Sequence, residues 1–139
     1  MKENFEEKFM DIQSGLISLC MELTEGKMDK IYAYAYISES CTSFNAFFRK
    51  NGEIITLGKL GIDMDSMMEF LDLGADDLDL VIELFEDNEM QCPIEMKMYY
   101  DVKTGGYKAD YRYDAYDNEE DMDPDELFLK WREETAKEA

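Results

Sequence analysis

The apolar positions of this chain follow helical and strand rhythms in turn. Between about residues 4 and 25, Phe5, Phe9, Ile12, Leu16, Leu19, Cys20 and Leu23 recur at three- and four-residue spacings, the stripe of an amphipathic helix. Asn4 with Glu7 three positions on has the pattern of a capping box, and Gly26 supplies a stop. Over 30–37, Tyr32, Tyr34 and Tyr36 alternate with smaller apolar residues, which predicts a strand with both faces partly covered. A second strand is expected over 43–49. Asn51-Gly52 then forms a two-residue hairpin turn into a third, Glu53 to Leu57.

From Asp65 to about Glu89 the period is helical again. Met64, Met67, Met68, Leu71, Ala75, Leu78, Ile82 and Phe85 make one stripe, with Phe70, Leu73, Leu80 and Leu84 beside it. So wide an apolar face predicts cover on more than one side, by the sheet and by either another helix or a partner. Met64, Met67 and Met68 read most simply as core filler, and alternatively as an adaptable contact surface. Gly74 is accommodated within one helix. Two further strands follow, 93–101 and 107–113, joined at Thr104-Gly105-Gly106, with an apolar-aromatic face and a charged face. After an acidic loop at about 114–123, Asp123 (N-cap), Pro124 (N1) and Glu126 (N3) open a last helix, about 124–136, burying Leu127, Phe128 and Trp131. The order is α-β-β-β-α-β-β-α, without repeat or linker. The expectation is a single α+β domain over 1–139: an antiparallel sheet of about five strands with helices packed on one face.

Charge changes the picture from fold to function. The 139 residues carry a net charge of -20, yet 45% are hydrophobic and 13% aromatic, enough for a folded core. Two windows hold all of the excess. Gly61 to Met96 contains twelve acidic residues and Tyr113 to Leu129 eight, neither with a Lys or Arg. Such a field repels nucleic acid and anionic membrane and attracts a basic protein. The three cysteines, Cys20, Cys41 and Cys92, lack framework spacing. Free thiols are expected, Cys20 and Cys41 buried, in a reducing cytosol. The N-terminus has no apolar leader core and no run approaches a membrane span, so a soluble, cytoplasmic protein is expected.

There is no histidine, which removes Ser-His, Cys-His and His-ligated metal chemistry together. No nucleophile elbow, P-loop or C-x-x-C pair is present. In the acidic loop, calcium-loop registers starting at Asp117 or Asp121 both fail, with Met122 or Glu126 where Gly is needed and Phe128 or Arg132 where Glu is needed. Neither enzyme activity, cofactor nor dedicated metal site is therefore expected. Tyr113 and Tyr116 instead set aromatics beside carboxylates, the mixture a protein interface uses.

Several segments carry a resemblance. Met28 to Ala35 (MDKIYAYA), Glu83-Leu84-Phe85-Glu86 and above all the hairpin Thr104 to Asp114 (TGGYKADYRYD) resemble the YezG-type immunity proteins, antitoxin partners of secreted bacterial nuclease toxins. The likeness runs over most of residues 5 to 118. Met28 and Ile94 stand where the family tends to have Trp, and the last helix keeps Trp131 without the family's aromatic, Gly-ending tail. The resemblance implies a cytoplasmic, non-enzymatic inhibitor, monomeric or weakly dimeric, that neutralises a cognate basic nuclease by stoichiometric occlusion. Its candidate contacts are Asp114, Tyr116, Asp117, Glu119, Glu120 and Asp121. A second patch comprises Asp76, Asp77, Asp79, Glu83 and Glu86. The alternative is an acidic class I type III secretion chaperone, similar in size and element order, binding an effector segment as a homodimer. A third reading is a nucleic-acid mimic with several partners.

Overall fold

Alternation along one strand decides the architecture. In the computed structural model, which describes residues 4–38, 42–114 and 123–137, β1 (Lys30–Ile37) is buried on both faces from Ile31 to Ile37. Its Ile and Ala side chains face one way and its three Tyr side chains the other, so each face needs its own cover. Antiparallel to β1 run β2 (Thr42–Lys50) and β4 (Glu95–Asp101), with β3 (Glu53–Thr56) and β5 (Tyr107–Arg112) outside them. The sheet order is β3-β2-β1-β4-β5. Asn51 and Gly52, at φ 53° and 82°, make the β2–β3 turn with the left-handed backbone that the twist of a hairpin demands.

On the first face lie α1 (Phe5–Thr24) and α2 (Met64–Asp87). In register across the sheet are Ala33, Ala46 and Met98, then Ala35, Phe44 and Met96. The small residues at the centre let the helices sit close. Leu16, Ile17 and Cys20 of α1 and Phe70, Leu78, Val81 and Phe85 of α2 fill this core. Phe85 meets Phe5 and Phe9 edge-on, at centroid distances of 5.0 and 5.1 Å. Gly74 does not break α2. A Cβ there would lie 2.1 Å from the Phe44 ring, so the missing side chain is what lets strand and helix touch.

The second face is covered by α3 (Pro124–Lys137), whose Leu127, Phe128 and Trp131 pack on Tyr32, Tyr34, Tyr36 and Phe47. Tyr32 stacks on Phe47 at 4.7 Å, and Trp131 stands edge-on to Phe47 at 5.0 Å and to Tyr99 at 5.6 Å. Arg49 Nη2 donates to the Thr135 carbonyl at 2.6 Å and ties down the far end of α3. The architecture is the expected single α+β domain, its helices packed on the sheet. They are shared between the faces, however: α1 and α2 on one, α3 on the other. The three tyrosines are the physical reason, since one face would otherwise leave them in water.

Local corrections follow from the same packing. Asn4 stands before α1 at φ 73° and makes no side-chain cap bond, so the expected capping box is absent. Asp123, by contrast, accepts from the Glu126 N–H at 2.9 Å and caps α3 as expected. β4 starts at Glu95 rather than 93, and β5 ends at Arg112. Glu95, expected on a charged face, is only 3% exposed because α3 covers that face; its carboxylate accepts from the Tyr34 hydroxyl and pairs with Lys97 at 3.9 Å. Cys20 is buried as expected, and Cys41 lies outside the described residues.

Candidate functional site

The face of α2 turned away from the sheet has one charge sign along its whole length. Asp65, Glu69, Asp72, Asp76, Asp79, Glu83, Glu86 and Asp87 fall at three- and four-residue steps and are all exposed. The helix contains no Lys or Arg, and among the described residues none of these eight carboxylates forms an ion pair. Like charges four apart, such as Asp72 with Asp76 and Asp79 with Glu83, repel by roughly 0.2–0.5 kcal/mol each. The last turn adds to this, because Glu83, Glu86 and Asp87 crowd the negative end of the helix dipole and that turn contains no basic residue. At the other end Asp63 is well placed: its carboxylate accepts from the Ser66 N–H at 2.7 Å, which holds its pKa below the usual value.

Two apolar margins flank the acidic face. Leu73 and Leu80, 42% and 48% exposed, lie on one side. Met64 and Met68, 67% and 49% exposed, lie on the other, so these two methionines are not core filler; Met67 packs partly on the core. Apolar rows beside unpaired charge supply both desolvated contact and steering to a partner of opposite sign.

The structure divides the candidates named from sequence. Asp76, Asp79, Glu83 and Glu86 share the exposed face of α2. Asp77 does not: it turns toward α1, with Oδ2 3.6 Å from where a Cβ on Gly15 would lie. Burial there, and then the neighbouring Asp76 charge, raise its pKa above the ordinary carboxylate value. Asp114 is exposed beyond β5, its carbonyl accepting from Arg112 Nε at 2.8 Å. Tyr116, Asp117, Glu119, Glu120 and Asp121 lie outside the described residues, as does Met122 of the calcium-loop comparison. Sequence reading missed Asp65, Glu69, Asp72 and Asp87, which the same 100° step, applied to the acidic residues, would have added.

Other chemistry is sparse. Among the described residues no three acidic or thiol groups converge to hold a metal ion, and no helix is long and apolar enough to cross a membrane. Cys92 is a half-buried free thiol pushed up to about 11 by burial and then by the Glu86 charge, which suppresses the nucleophilic thiolate. Burial raises Cys20 further. In comparisons with known proteins, no family model and no curated protein matches the chain.

Proposed function

We propose that this chain is a cytoplasmic immunity protein, which binds a cognate secreted toxin and neutralises it stoichiometrically, the toxin being a basic nuclease. The observation that carries the reading is the exposed face of α2, eight carboxylates without an ion pair among the described residues, bordered by apolar side chains. A nuclease must present Lys and Arg to hold phosphates, and those are the groups such a face pairs with and occludes. The resemblance of the 104–114 hairpin to YezG-type immunity proteins supports the same class. The protein acts by binding, with no chemistry of its own.

The secretion-chaperone reading draws on the exposed Met64, Met68, Leu73 and Leu80, which suit an amphipathic effector segment. Self-association through α2 is disfavoured, because it would bring two faces of the same charge together.

Affinity capture at low and at moderate salt tests the proposal. The expected result is one basic nuclease domain at one-to-one stoichiometry, with its cleavage of nucleic acid abolished by the purified protein. An effector held by an extended segment on an obligate dimer would replace this reading with the chaperone.

A further inference from the structure

Between α1 and α2, on the side of α2 bearing Leu73, lies an open groove of about 200 Å³. Leu19, Leu23, Phe70 and Leu73 make its apolar walls; Glu22, Glu69 and Ser66 form its polar rim. It is smaller than the roughly 300–1,000 Å³ of small-molecule sites, and its size suits a single long side chain. The rim offers two carboxylates from different helices and a hydroxyl, and among the described residues neither Glu22 nor Glu69 is in an ion pair.

We propose that this groove seats one arginine side chain of the basic partner. An arginine has an apolar stem that gains by lying along leucine walls. Its planar guanidinium has donors on several edges, so it can face the α1 carboxylate and the α2 carboxylate at once. A lysine ammonium, compact and strongly hydrated, matches the stem but not the divided rim. The groove adjoins the acidic face of α2 at Glu69, so the seated arginine fixes the register in which the remaining cations meet that face. The inference rests on the binding reading above and names the anchor within it.

The test uses the full chain with methyl and amide NMR, titrated with N-acetyl-arginine amide and, separately, N-acetyl-lysine amide. Saturable shifts at the methyls of Leu19, Leu23 and Leu73, stronger with the arginine derivative, are expected. Glu22→Gln with Glu69→Gln should weaken that binding by about tenfold, roughly threefold for each exposed charge contact. Shifts spread over Asp76, Asp79 and Glu83 without saturation at the leucine methyls would overturn the proposal, as would equal binding of the lysine derivative. Because the probe is a single residue, its failure is separable from failure of the function. A silent groove alongside capture of a basic nuclease removes the anchor and leaves the inhibitor.

Discussion

Replacing Gly74 by alanine separates two opposing effects by sign. In an ordinary helix interior the change stabilises by about 1 kcal/mol. Here the added methyl would lie 2.1 Å from Phe44 Cδ2 and 2.6 Å from Cγ and Cε2, against the roughly 3.5–4.0 Å of a normal carbon contact. The ring cannot easily yield, being buried and packed on Phe70 at a centroid distance of 5.4 Å. Overpacking of this kind costs about 1–3 kcal/mol, and an overlap this deep against a fixed ring belongs at the upper end. Gly74→Ala should therefore lose about 2 kcal/mol net, or ~6 °C in Tm for a chain of this length. In a Phe44→Ala background the obstruction is gone, and the same substitution should stabilise by about 1 kcal/mol, a coupling of about 3 kcal/mol. Urea unfolding of the four proteins of this cycle, in about 0.5 M NaCl to screen self-repulsion, measures all of these values. A neutral or stabilising Gly74→Ala in the native background would show that α2 and β2 are not in the contact described.

Other expectations concern charge and the second core. Asp77 has a raised pKa in the folded state, so its ionised form costs stability as pH rises through that value, and the cost is absent below the ordinary carboxylate pKa of 3.8. Asp77→Asn should raise the urea midpoint near pH 7 and leave it unchanged near pH 3; a gain of equal size at both would remove ionisation as the cause. Adding salt from about 10 mM to 0.5 M should stabilise the native protein by ~1–2 kcal/mol, the sum of four like-charged pairs spaced four residues apart on α2. A Tm independent of salt would contradict the description of that face. Trp131→Ala should cost about 3–5 kcal/mol by opening a cavity among Tyr32, Phe47 and Tyr99. Trp131 is also the sole tryptophan, so its fluorescence should change at the same urea concentration as the helical circular dichroism. An earlier fluorescence transition would mean that α3 is not part of one cooperative unit.

The elements themselves were legible because their periods are clean. Phe5 to Leu23 repeats at helical spacing, β1 alternates, and Asn51-Gly52 admits few turns. What the pattern could not supply was the assignment of faces. Tyr32, Tyr34 and Tyr36 pointed to cover on the second face of the sheet, but nothing near Trp131 says which face a helix after a run of acidic residues will choose. The same limit applies along α2, where apolar residues occur around much of the circumference. Phe70 and Gly74 lie in the core and Met64 and Met68 outside it because the sheet, through Phe44, selects the side. Glu95 shows the effect at one residue: strand alternation put it on a charged face, and burial by α3 changed what that face means. The acidic windows were visible from composition, whereas the turning of Asp77 toward Gly15 depends on how two helices pack.

The placement of β1 at the middle of the sheet has a consequence for biosynthesis. Its neighbour β2 follows at once, but its other neighbour, β4, is made only after α2. During that interval the nascent chain carries its most apolar strand with one edge unsatisfied, the state in which chains recruit one another and aggregate. The segment leaving the ribosome in that interval includes α2, which has nine acidic residues and no basic ones. Mutual repulsion between such segments is expected to oppose their association until β4 arrives to close the edge. The charge on α2 therefore opposes association of the chain with its own copies while that edge is open.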